Sequence, residues 1–78
     1  MDPEATYREL LDALMTGDRE VAKEHAGNLA RWLSRGGFAP VVDHRLAGLP
    51  RLQTVLAESL CRAVLGPTFH SLVTRSQS

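Results

Sequence analysis

The junction Thr16-Gly17-Asp18 constrains this chain more than any other feature. A glycine able to take the left-handed conformation ends one helix there, and an aspartate able to cap the next follows at once. Two helices joined by two or three residues must run antiparallel and pack on each other. Flanking patterns support both helices. Asp2 and Pro3 suit the cap and first position of helix 1, and Glu4 suits the positive end of its dipole. Tyr7, Leu10, Leu11, Leu14 and Met15 then recur at helical spacing, predicting a helix over about 3–15 with that stripe inward. Helix 2 is predicted over about 19–35, with Glu20 in its first turn. Its inward face reads as Ala22, His25, Ala26, Leu29, Trp32 and Leu33, with Arg19, Lys23, Asn28, Arg31 and Arg35 on the wet side. Gly27 in mid-helix implies a close approach of helix 1, and Gly36-Gly37 ends the helix.

Two amphipathic helices leave one side of each stripe wet, so a third layer is required. The linker from Phe38 to Val42 is apolar, and Phe38 with Val41 or Val42 is expected to fold back onto the hairpin. Pro50 offers a helix start, and Leu52, Val55, Leu56, Leu60, Ala63 and Val64 form a third stripe, predicting a helix over about 50–65. Gly66-Pro67 stops it. Residues 43–49 allow one more helical turn, with Asp43 as cap and His44 exposed. Residues 68–78 form a tail with a short apolar segment, Phe69 to Val73. The expectation is an all-α single domain over 1–67: an antiparallel hairpin plus a third helix, in a small three-helix bundle.

Size and charge narrow the function classes. A chain of 78 residues is one domain at the edge of self-sufficiency, and such chains usually gain support from disulfides, metals or partners. Cys61 is the only cysteine, so no internal disulfide can form. Nine basic and nine acidic residues cancel. Residues 1–42 hold seven acids and five bases, and the remainder two acids and four bases. That asymmetry is too weak for the clustered basic footprint of a nucleic-acid binder. No apolar run reaches the length of a membrane span, and Met1-Asp2-Pro3-Glu4 lacks the character of a secretory signal. A cytoplasmic protein with a reduced thiol is expected. Eight arginines against one lysine, with no isoleucine, read as the codon bias of a GC-rich, bacterial genome.

The segment Leu14-Met15-Thr16-Gly17-Asp18-Arg19-Glu20-Val21-Ala22 resembles the turn of a tetratricopeptide repeat, in which Gly-Asp joins antiparallel helices and a small residue lets them approach. The resemblance is one of hairpin geometry. Glu9 and Ala13 depart from the family's apolar and aromatic positions, and no second repeat follows. Trp32-Leu33-Ser34-Arg35-Gly36-Gly37-Phe38-Ala39-Pro40, behind a Gly-Asp hairpin, is similar to short uncharacterised bacterial proteins over the first half of the chain. That similarity implies bacterial origin and no mechanism.

Candidates for chemistry are sparse. Cys61 lies at the apolar face of helix 3 without a flanking catalytic signature and reads as a small core residue. His25, His44, His70 and Cys61 are spaced too widely for metal-ligand pairs. Glu20, Lys23 and Glu24 read as a solvated face. Glycines follow a helix rather than a strand, the wrong context for a phosphate loop. Pro40 and Pro50 separate helices 2 and 3 too far for a DNA-binding helix-turn-helix. No enzyme, metal or cofactor is therefore expected. Trp32 is expected to be largely buried against helix 1. The candidate interaction residues are Trp32, Phe38, Leu52, Leu56, Leu60 and Phe69, with the partner face on helix 3 and the tail. The favoured reading is a non-enzymatic interaction or accessory module that pairs with itself, most simply as a homodimer, and docks on another protein. A nucleic-acid-linked regulator using the Arg-rich faces of residues 31–62 is the alternative.

Overall fold

The computed structural model describes residues 1–67 as three α-helices and one 3-10 turn: α1 (Pro3–Thr16), α2 (Arg19–Ser34), the turn His44–Leu46, and α3 (Pro50–Leu65). Among the described residues there is no strand. The all-α hairpin-plus-helix bundle expected from the pattern is the fold.

The helix ends form as their residues dictate. Asp2 accepts from the amides of Glu4 and Ala5 at 3.0 and 3.3 Å, and Asp18 accepts from Val21 N at 3.2 Å. Gly17 takes φ 79°, and the amides of Gly17 and Asp18 fold back to the carbonyls of Leu14 and Ala13. Gly36 repeats the device, with Gly36 N on Leu33 O and Gly37 N on Trp32 O. Both are Schellman closures, which satisfy the last carbonyls and fix the angle at which the chain leaves the helix.

α2 is the middle element. It packs on α1 along one side and α3 along the other, while α1 and α3 barely touch. The core is built from Leu10 and Ala13 of α1, Ala22, Ala26, Leu29, Ala30 and Leu33 of α2, and Ala57, Cys61 and Leu65 of α3. Most of these side chains are small. Alanines on α2 meeting Ala57 and Cys61 allow close helix approach, in the way ridges fit grooves when side chains are short.

The rotation of two helices differs from the simple stripe. In α1 the buried positions are Pro3, Thr6, Leu10 and Ala13, while Leu14 and Met15 are exposed, Met15 by 87%. Ala13 joins the core with α2, while Leu14 and Met15 lie on the outward arc. In α3 the buried positions are Gln53, Ala57, Cys61 and Leu65. Leu52 and Val55, expected inside, are 45% and 55% exposed; Leu56, Leu60 and Val64 are half-buried and Ala63 is exposed.

Gln53 supplies the reason. Its Oε1 accepts from Val42 N at 2.8 Å and Asp43 N at 3.1 Å, and its Nε2 donates to Asp43 O at 2.7 Å. The linker is strapped from the other side by Glu4, whose carboxylate accepts from Val41 N. Turning α3 to bury Leu52 instead would withdraw that amide and leave part-buried backbone groups without their partner, at a cost of up to about 1–3 kcal/mol per group. Pro40 is fully buried and Val42 packs on the core, but Phe38 is 69% exposed and does not fold into the hairpin. Asp43 caps the turn His44–Leu46 as expected, through Arg45 N at 2.9 Å. Gly27 is buried, yet the groove beside it is shared with Leu65 of α3 and, among the described residues, with none of α1.

Candidate interaction surface

α3 carries an exposed apolar surface. At 100° per residue its cylinder divides into three stripes roughly 120° apart. Gln53, Ala57, Cys61 and Leu65 face α2. Arg51, Glu58 and Arg62 share a charged stripe. The third stripe runs through Leu49, Leu52, Leu56, Ser59 and Ala63, with Val55 and Leu60 at its edges, and carries no charge. Leu52 and Val55 thus face outward while Ala57 and Cys61 face inward. Leu49 is 51% exposed, comparable with Leu52 and Val55 beside it.

The stripe continues toward the hairpin turn. There Leu14, Ala22, Leu60, Ala63 and Val64 line an open cleft of about 520 Å³, with Arg19 and Lys23 at its rim. Both cations are exposed on successive turns of α2, and among the described residues neither forms an ion pair or side-chain hydrogen bond.

The expected site residues fall into separate groups. Leu52, Leu56 and Leu60 share the outer side of α3. Trp32 is half-buried rather than largely buried: it packs on the core edge and lies over the Gly36-Gly37 turn. Its Nε1 donates to Phe38 O at 2.8 Å, and the Phe38 ring meets it edge-on at 5.7 Å between centroids. The turn after α2 therefore supplies a hydrogen bond and an edge-on ring that hold the indole. Trp32 and Phe38 are a local aromatic clasp at the end of α2. Phe69 lies outside the described residues. Leu14 and Met15 were missed as surface residues because periodicity alone places them inside, and Leu49 because it precedes the stripe read on helix 3.

Several titratable groups are shifted by their surroundings. Burial, with a smaller contribution from Glu58, pushes the Cys61 thiol up to about 11, so at neutral pH it is a thiol and a poor nucleophile. Burial and then Glu4 raise Tyr7. Arg45, through its bidentate contact at 2.9 and 3.1 Å, holds the Asp43 carboxyl below its usual range. His25 Nε2 lies 3.7 Å from Glu9 Oε2 at the α1–α2 edge. Among the described residues no three His, Cys, Asp or Glu side chains converge as metal ligands. Nor, among them, is any helix long and apolar enough to cross a membrane.

No protein-family model matches this chain, and no curated protein or solved structure matches it significantly. The surface must be read from its own chemistry.

Proposed function

We propose that this protein is a non-enzymatic interaction module of the bacterial cytoplasm that pairs with itself through the outer stripe of α3 and, as a dimer, docks on another protein. One observation carries the reading: α3 buries Gln53, Ala57 and Cys61 while leaving Leu49, Leu52 and Val55 about half exposed. Contiguous exposed aliphatic side chains on so small a protein mark an association site. A second copy suits the face because it carries no charge to repel itself, and a two-fold axis is the commonest way to bury one patch against its equal. The core is narrow and built largely of alanine, so pairing would also supply the burial that a chain of this size lacks. The raised Cys61 thiol suits a packing role for that residue over a nucleophilic one.

Light scattering over a dilution series tests the proposal. The wild-type chain should be a dimer at tens of micromolar, on the order of the weak-to-moderate affinity expected for a small interface. Leu52→Glu, at an exposed position, should give a monomer with unchanged helicity. A wild-type monomer throughout that range would overturn self-association.

A further inference from the structure

The cleft at the C-terminal end of α3 shares Leu60 and Ala63 with the outer stripe and differs from it in one respect: its lining among the described residues includes two cations, Arg19 and Lys23, and no acid. We propose that this cleft is a second docking site, and that its partner is an acidic amphipathic helix of another protein. The inference rests on the reading of the chain as an interaction module, but not on its self-association. Leu14, Leu60, Ala63 and Val64 offer apolar walls from α1 and α3, with Ala22 between them. The small side chains of Ala22 and Ala63 leave room for inserted Leu- or Met-sized groups. Arg19 and Lys23 lie on one flank, a turn apart on α2. A helix laying its apolar face into the cleft would place carboxylates one turn apart beside them. A basic helix would be repelled, and a second copy would bring the same two cations to face each other. Openness to solvent and the two-sided apolar wall suit a helix better than an enclosed small molecule.

The test uses the full chain carrying Leu52→Glu, so that self-association is absent. The probe is a displayed library of peptides of about 14 residues, four helical turns, with leucine fixed along one face and flanking positions varied. Selected peptides should be enriched in Asp and Glu on one flank. Their binding, followed by fluorescence anisotropy, should weaken at least about tenfold in Arg19→Glu/Lys23→Glu, as expected when paired charges are reversed. The same double variant should prefer peptides whose acids are exchanged for lysine. Ala63→Glu, at an exposed position, should block the cleft while circular dichroism stays unchanged. Recovery of no saturable binder, selection without acidic enrichment, or affinity indifferent to Arg19, Lys23 and Ala63 would each overturn the proposal. So would light scattering that finds the Leu52→Glu chain still dimeric and Leu14→Glu, exposed in the cleft but off the outer stripe, monomeric, which would assign the cleft to a second copy.

Discussion

At the scale of single residues, the buried amide of Gln53 decides more than any leucine. It satisfies two backbone donors and one acceptor of the linker from within α3. Gln53→Leu would keep the volume and remove all three bonds. Equilibrium urea unfolding should show a loss of about 2–4 kcal/mol, because the orphaned groups carry their full desolvation penalty. A change below about 0.5 kcal/mol, the range of ordinary surface substitutions, would show that water replaces the amide there. Cys61 makes a different prediction. Its thiol ionises near an ordinary value of 9 when unfolded and at about 11 when folded. The folded state therefore holds its proton more tightly, and stability falls as pH rises from 9 to 11. Cys61→Ala should lower stability at neutral pH by about 1 kcal/mol through lost packing. It should also flatten that alkaline slope relative to wild type. Parallel slopes for the two chains would contradict the burial of the thiol.

At the scale of elements, the α2–α3 contact works by smallness. Ala57 and Cys61 are fully buried against an alanine-lined helix. Ala57→Leu should therefore destabilise by about 1–3 kcal/mol through overpacking, although it adds hydrophobic surface to an amphipathic helix. Leu52→Glu, a far harsher exchange by composition, should leave the stability of the monomer within about 0.5 kcal/mol because the site already faces water. Urea titration of both variants checks the order; the reverse order would mean that α3 is rotated. The caps at Asp2 and Asp18 and the Schellman closures at Gly17 and Gly36 were legible in advance, because they depend on residues within one turn of each other. The rotation of α3 was not. Its leucine stripe is real, but the demand of a linker ten or so residues upstream turned it outward.

At the scale of the whole molecule, self-association predicts linkage between concentration and stability. A folded dimer that dissociates on unfolding gains stability by mass action. The thermal midpoint of the wild type should rise by several degrees between about 1 and 100 micromolar, the scale set by one or two kcal/mol in a domain of this size. That of Leu52→Glu should stay constant. Identical, concentration-independent midpoints would leave the outer stripe of α3 without its proposed partner.

The sequence by itself determined the all-α class, three helices with ends within a residue of those observed, and the antiparallel hairpin. Caps, glycine closures and periodicity are local, and their physics is complete within a few residues. Only the tertiary structure decided which arc of each helix is buried. Periodicity reports that an apolar stripe exists, but rotation about the helix axis is set by close packing of small side chains and by the buried backbone groups of the linker. Those two demands turned Gln53, Ala57 and Cys61 inward and left Leu52 and Val55 facing out, which is where the proposed function resides.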